Sequence, residues 1–167
     1  QFLNVDAETA AQQLVNVPES TIFGGELEAL YNVTDRLRLD GSVAVLQSEI
    51  DKGSLSGVNL AGNALPLAPE LSLNLGATWQ VASLPYGDVI LRVDGNYVAS
   101  QYFDVFNDSA TEQDSHALGN ARLTLRPQDR SGLELAVWIK NFTDEEYRTS
   151  MINVLDNFGY VYTLLGA

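Results

Sequence analysis

The sequence predicts an all-β protein: an antiparallel, up-and-down transmembrane β-barrel, of which this chain is a partial wall. Three observations predict it. Apolar residues recur at every second position along most of the chain, the period of a strand with one apolar and one polar face. The alternating segments run about 9–13 residues, longer than ordinary strands and close to what a tilted strand needs to cross a bilayer. Short connections alternate with long ones, as in a barrel with tight turns on one side of the membrane and loops on the other. A soluble sandwich gives no reason for that alternation.

The elements follow in order. A partial strand is expected near Phe2–Val5. Leu27, Ala29 and Tyr31 then share a face opposite Glu26 and Glu28. Val33-Thr34-Asp35 is a tight turn, and Leu37, Leu39, Val43 and Val45 lie opposite Arg36, Arg38, Asp40 and Ser42. After a long connection near 49–70, Leu71 to Val81 places every odd residue on an apolar face. Ser83-Leu84-Pro85-Tyr86-Gly87 is a second short turn. Val89, Leu91, Val93 and Tyr97 lie opposite Arg92, Asp94 and Asn96. The connection near 99–117 leads to Ala121–Arg126, and a third turn is expected at Pro127–Ser131. Leu133, Leu135, Val137 and Ile139 lie opposite Glu134, Trp138 and Lys140. A third long connection is expected near 142–157, before a strand carrying Phe158, Tyr160, Tyr162 and Leu164. The total is about seven strands.

Composition excludes whole classes. No cysteine means no disulfide framework, no thiolate zinc site and no cysteine nucleophile. The one histidine, His116, rules out a multi-histidine metal site. With 9 Lys+Arg against 22 Asp+Glu, a net charge of −13 argues against a nucleic-acid partner. No apolar run reaches the length of a membrane helix, and no leader pattern opens the chain. Gln1 reads as mid-sequence, the sole methionine being Met151. Catalytic signals are poor: Gly53-Ser54-Leu55-Ser56-Gly57 has its serines at the wrong offsets for a nucleophile elbow, and there is no phosphate loop and no H-E-x-x-H. The expectation is no enzyme, no cofactor and no bound metal.

The charges fit a barrel. Glu49, Asp51, Glu70, Asp104, Asp108, Glu112, Asp114, Asp144, Glu145, Glu146 and Asp156 fall in the long connections, opposed by Lys52 and Arg148. That makes an acidic rim. The polar strand face mixes signs, with Glu26, Glu28, Asp40, Asp94 and Glu134 among Arg36, Arg38, Arg92, Arg122 and Lys140. Such a face suits a lumen filled by water or by another protein segment.

At this point four stretches resemble the C-terminal barrel region of TonB-dependent outer-membrane receptors. They are Gly25-Glu26-Leu27-Glu28, Gly62 to Pro69 (G-x-x-L-P-x-x-P), the loop Tyr102 to Asn107, and Val137 to Tyr147, similar to a late strand followed by N-[LF]-x-D-x-x-Y. Each is weak alone; their order covers nearly the whole chain. The resemblance implies a bacterial outer-membrane barrel of about 22 strands, plugged by an N-terminal domain. It implies uptake of a scarce nutrient, a ferric siderophore above all, with cobalamin, metals or carbohydrates as other cargoes. Implied partners are outer-membrane lipid, the plug, the TonB energy-coupling complex acting through an N-terminal box, and the barrel-assembly machinery. A monomer is implied. On this reading residues 1–167 are a fragment, with plug, coupling box and final aromatic-ended strand outside it. Its two unpaired edges make insertion of the isolated piece unexpected.

Candidate site residues divide into two sets. Glu26, Glu28, Arg92, Asp94, Arg122 and Lys140 face the lumen and, in the complete receptor, the plug; the alternative is plain solvation. Tyr102, Asp104, Asn107 and Asp108 form a candidate ligand loop at the external mouth; the alternatives are a solvated variable loop, or a calcium site using Asp104, Asp108 and Asp114. Trp79 is expected to face lipid and Trp138 the lumen. The tyrosines Tyr97, Tyr102, Tyr147, Tyr160 and Tyr162 suit girdle positions, His116 a structural role, and the three sequon matches are chance. Two rival readings remain: a soluble or surface all-β binding module, lectin- or adhesin-like, whose apolar face packs on a second sheet, and a barrel enzyme relying on His116.

Overall fold

The computed structural model describes residues 2–5, 12–15, 19–128, 133–153 and 161–166. In chain order the strands are β1 (Phe2–Val5), β2 (Gln12–Val15), β3 (Glu19–Thr34), β4 (Leu37–Lys52), β5 (Ser54–Leu55), β6 (Val58–Asn59), β7 (Leu71–Leu84), β8 (Gly87–Val98), β9 (Gln101–Tyr102), β10 (Glu112–Gln113), β11 (His116–Pro127), β12 (Leu135–Ile139), β13 (Tyr147–Asn153) and β14 (Val161–Gly166). Six of them form one sheet in the order β12-β11-β8-β7-β4-β3. Every pairing in it is antiparallel, and each strand lies beside its neighbour in sequence. That meander is the wall of an up-and-down barrel, open in this chain. Among the described residues no helix is long and apolar enough to cross a membrane.

Register sorts the side chains as the periodicity predicts. Tyr31, Leu39, Ala77, Val93, Ala121 and Ile139 stand in one cross-strand row. Leu27, Val43, Leu73, Tyr97 and Ala117 form another on the same face. This face is left uncovered: Leu27 is 67% exposed, Leu75 70% and Val137 67%. A sandwich would bury it against a second sheet, so the soluble-module reading fails here. Trp79 shares this outward register, between Leu37 and Leu91, and is exposed as expected. Trp138 lies in the opposite register, beside Arg122.

Four expectations change. First, β3 and β4 each run 16 residues and β7 runs 14, longer than the apolar alternation alone suggested. The hairpin continues as a hydrogen-bonded ladder after its outward residues change from Val43 and Val45 to Gln47, Glu49 and Asp51. Backbone pairing does not stop where the apolar belt stops. Second, Glu49 and Asp51 therefore belong to a strand, not to a loop. Third, the expected connection 142–157 contains a strand, β13, paired with β14 as a separate hairpin. Fourth, the strand near Phe2–Val5 is present and pairs with β2, which no alternation signalled. The turn after β3 is fixed by Thr34, whose Oγ1 accepts the N–H groups of Arg36 (3.1 Å) and Leu37 (3.0 Å). Phe158, Tyr160, Asp156 and most of the Pro127–Ser131 turn lie outside the described residues.

The buried apolar cluster is not in the middle of the sheet. Ile50, Leu60 and Val105 form it, with Leu55, Leu65 and Phe106 packed against them, all at the end where the long connections lie.

Candidate functional site: lumen face and external loops

On the polar face, three rows run across the sheet. Arg38, Thr78, Arg92, Arg122 and Trp138 make one; Asp40, Gly76, Asp94 and Asn120 make the next; Glu28, Ser42, Asn74 and Asn96 make the third. Arg92 leaves its own row. Its guanidinium crosses Gly76 and donates to both carboxylate oxygens of Asp40, at 2.7 and 2.9 Å, and to Thr78 Oγ1 at 3.0 Å. Its Nε lies 3.5 Å from Asp94, whose other oxygen accepts from Asn120 Nδ2 at 2.9 Å. A Cβ at position 76 would run into Arg92 and Asp40, so glycine there is what lets the bridge span β8 to β4. The bidentate geometry is the strong form of this contact.

The six lumen candidates therefore do not form one cluster. Arg92 and Asp94 join Asp40, a residue outside the candidate set. Arg122 instead donates to Thr124 Oγ1 at 3.2 Å, with its guanidinium carbon 5.9 Å from the Trp138 ring centroid, a cation–π contact. Lys140 lies exposed past the end of β12, and Glu26 and Glu28 lie exposed on β3, at the other edge of the sheet.

The loop candidates are gathered into one unit. Asn107, at a left-handed φ of 54°, accepts the Ala64 N–H at 2.7 Å and donates to the Ala64 carbonyl at 3.0 Å. Asn63 Nδ2 returns a bond to the Val105 carbonyl at 2.8 Å. Leu65 donates its N–H to Ser48 Oγ at 3.1 Å, and Leu67 to the Tyr102 carbonyl at 2.9 Å. The connections 53–70 and 99–115 are thus clasped to each other over the Ile50 cluster. Asp104 accepts from the Phe106 N–H at 2.9 Å and from Thr111 Oγ1 at 2.8 Å. Asp108 caps the single 3-10 turn Ser109–Thr111, accepting the Ala110 N–H at 2.9 Å. Tyr102 pairs with Glu112. Among the described residues no group of three or more carboxylate or imidazole side chains converges on a point that could hold a metal ion.

The segment after β12 is built by residues that the periodicity did not single out for a role. Asn141 and Asp144 adopt left-handed φ values of 48° and 54°. Asn141 Oδ1 accepts from Thr143 Oγ1 (3.0 Å) and the Glu145 N–H (3.1 Å), and its Nδ2 donates to the Glu145 carbonyl (3.0 Å). The Phe142 ring sits over Gly119, where a Cβ would collide with it, and its N–H donates to the Gly119 carbonyl at 2.8 Å. Tyr147 in turn covers Gly166 and stacks on His116, the rings 4.9 Å apart and 7° from parallel. The N-F-x-D-x-x-Y spacing was the available signal: it is the spacing of a strand break whose two aromatics each seal a glycine.

Comparisons with known proteins agree with this architecture. The sequence profile of the TonB dependent receptor-like β-barrel family matches residues 1–142. No curated protein matches the chain. Among solved structures, it is similar to the ferric yersiniabactin uptake receptor FyuA from Yersinia pestis, with 23% identity over 88% of this chain and 22% of that one, at a TM-score of 0.72. It is also similar to BauA, the ferric preacinetobactin receptor from Acinetobacter baumannii, with 22% identity over 99% of this chain and 24% of that one, at a TM-score of 0.66. The copper transporter OprC shares 21% identity over 87% of this chain and 21% of that one, at a TM-score of 0.61. The chain spans less than a quarter of the length of each of these proteins. An open antiparallel wall with its apolar face outward and a family profile covering most of its length leave one assignment: the chain belongs to the TonB-dependent receptor β-barrel family, as part of the wall of an outer-membrane barrel.

Proposed function

We propose that the protein is a receptor for TonB-dependent active uptake of a scarce nutrient, with a ferric siderophore as its cargo. The observation that carries the reading is the two-faced wall: an apolar face left open and, behind it, a charged lumen face braced by Arg92, Asp40 and Asp94. Solved neighbours named as a ferric yersiniabactin uptake receptor, a siderophore receptor and a ferric preacinetobactin receptor support the cargo class. In this reading Glu26, Glu28, Arg92, Asp94, Arg122 and Lys140 face an N-terminal plug. Tyr102, Asp104, Asn107 and Asp108 hold the external loop pair against which ligand is captured. The plug carries the coupling box, the TonB complex supplies the work, the barrel-assembly machinery inserts the wall, and the receptor acts as a monomer with no nucleic-acid partner and no catalysis.

The test is uptake by cells that carry the intact receptor as their only one of this family. Under iron limitation, radiolabelled ferric siderophores of catecholate, hydroxamate and mixed chelating type are supplied in turn. Accumulation of at least one, abolished by loss of the coupling protein, is the expected result. Coupling-dependent accumulation of copper instead would replace the cargo and keep the receptor. No coupling-dependent accumulation of any solute would overturn the reading.

A further inference from the structure

Among the described residues, Ser56, Leu67, Asn107, Asn141 and Asp144 hold a left-handed φ without being glycine. Asparagine and aspartate tolerate that conformation, and Ser56 shares the tight β5–β6 turn with Gly57. Leu67, at φ 56°, is the large apolar residue of the set, and for it the left-handed region is strained. The local sequence enforces the strain. Pro66 suits the first central position of a turn, and Leu67 takes the second, where a type II turn favours glycine or asparagine. The Leu67 N–H is tied to the Tyr102 carbonyl at 2.9 Å, and Pro69 stiffens the chain two residues on.

Burial does not offset this cost. Leu60 is 3% exposed and Leu65 packs against the Ile50 cluster, whereas Leu67 is 61% exposed. Nor does the segment lie on the lipid side. Leu65 is bonded to Ser48, and Ser48 and Ile50 continue the inward register of Asp40 and Ser42 along β4. The stretch before Leu67 therefore runs over the lumen side of the mouth. Polar side chains nearby are already engaged within the loop pair: Asp104 by the Phe106 N–H and Thr111, Asn107 by Ala64, Asp108 by the Ala110 N–H.

We propose that Leu67 is a ligand-contact residue: a preorganised apolar point at the mouth that packs against the apolar flank, aryl or alkyl, of a ferric chelate. Its backbone is fixed before anything binds, so the contact forms with little further loss of conformational freedom. The strain is then held where binding uses it. This assignment rests on the receptor reading above and adds to it a side chain that recognises the chelator and not the metal.

The experiment is equilibrium binding of radiolabelled ferric complexes, one catecholate and one hydroxamate, to the intact receptor in outer-membrane vesicles. The thermal unfolding midpoint of each variant is measured alongside. Leu67→Gly and Leu67→Asn both suit a left-handed backbone better than leucine and remove the apolar side chain. Each is expected to leave the midpoint unchanged or raised. Each is also expected to weaken binding of whichever complex the parent takes by about tenfold, the scale of one leucine's burial. Binding within about twofold of the parent in both variants would overturn the assignment and leave the receptor reading standing. Weaker binding with a lowered midpoint, or failed assembly, in both variants would make Leu67 a structural residue of the loop and overturn the assignment equally. A parent that binds neither complex would overturn the cargo reading, and this assignment with it.

Discussion

Arg92 shows how much one side chain can depend on the absence of another. Its bridge to Asp40 joins strands that are not neighbours, and the path runs over the bare Cα of Gly76. Both ends of the pair are about a third exposed, at 35% and 32%, so water weakens the Coulomb term and bidentate geometry carries most of the gain. Gly76→Ala is expected to push the guanidinium off Asp40 and not to break the sheet, since only flexible side-chain ends crowd the new methyl. Each of Gly76→Ala and Asp40→Asn should cost on the order of 1 kcal/mol. The two should be strongly non-additive, because the first removes the contact that the second would remove. A double-mutant cycle on the unfolding midpoint of the intact receptor in lipid measures this. Additive costs would mean that the bridge contributes nothing in the assembled wall.

At the scale of elements, the external loops depend on side chains far apart in sequence. Asn107 reaches Ala64 across 43 positions, and its left-handed backbone aims the amide at both polar groups of that residue. Asn107→Gly keeps the backbone conformation and removes only the bonds, so its effect isolates the clasp. Losing the pair leaves the Ala64 groups half-buried without partners, a cost of about 1–3 kcal/mol. Limited proteolysis of the intact receptor should then cut both connections, 53–70 and 99–115, at raised rates. Cleavage rising in 99–115 alone would show that the two connections are independent.

The same scale shows what the sequence disclosed. For the six strands of the main sheet, existence and facing were legible, as were the turns after β3 and β7, because alternation is a local property: Leu71 to Val81 announces its own two faces. The clasp was not legible, because Asp104, Asn107 and Asp108 look like any solvated acidic loop until the fold brings Ala64 beside them. The Arg92–Asp40 pair was half legible; alternation put the two on one face, but only register brings them together. The lengths of β3 and β4 were misread because backbone pairing outlasts the apolar signal once the outward residues meet water. β13 was missed for a related reason. The polar run Thr143–Glu146 reads as a loop, whereas it is a break, and Arg148-Thr149-Ser150 gives no apolar alternation to announce the strand that follows.

For the whole molecule, the apolar face has a measurable depth. On β4 the outward residues stay apolar or Gly from Leu37 to Val45, and become polar at Gln47 while the strand runs on to Lys52. About nine residues is the span of a tilted strand through the hydrocarbon layer. Leu75 stands between Gly41 and Gly95 in the middle of that belt, and Gln47 stands just beyond its external edge. Arginine placed on a lipid-facing wall costs most at the bilayer midplane and little at the interface. Leu75→Arg should therefore destabilise the intact receptor by about 2–4 kcal/mol, and Gln47→Arg by about 0–1 kcal/mol. Asn74→Arg, one residue away on the lumen face, serves as the control for adding the charge without lipid contact; it should sit near the Gln47 value. Unfolding in lipid vesicles, followed by tryptophan fluorescence, gives all three on one scale. If Leu75→Arg proved no worse than Asn74→Arg, the outward face would not be meeting hydrocarbon. The wall would then have to be covered by protein, which the exposed rows of Leu27, Leu75 and Val137 leave unoccupied in this chain.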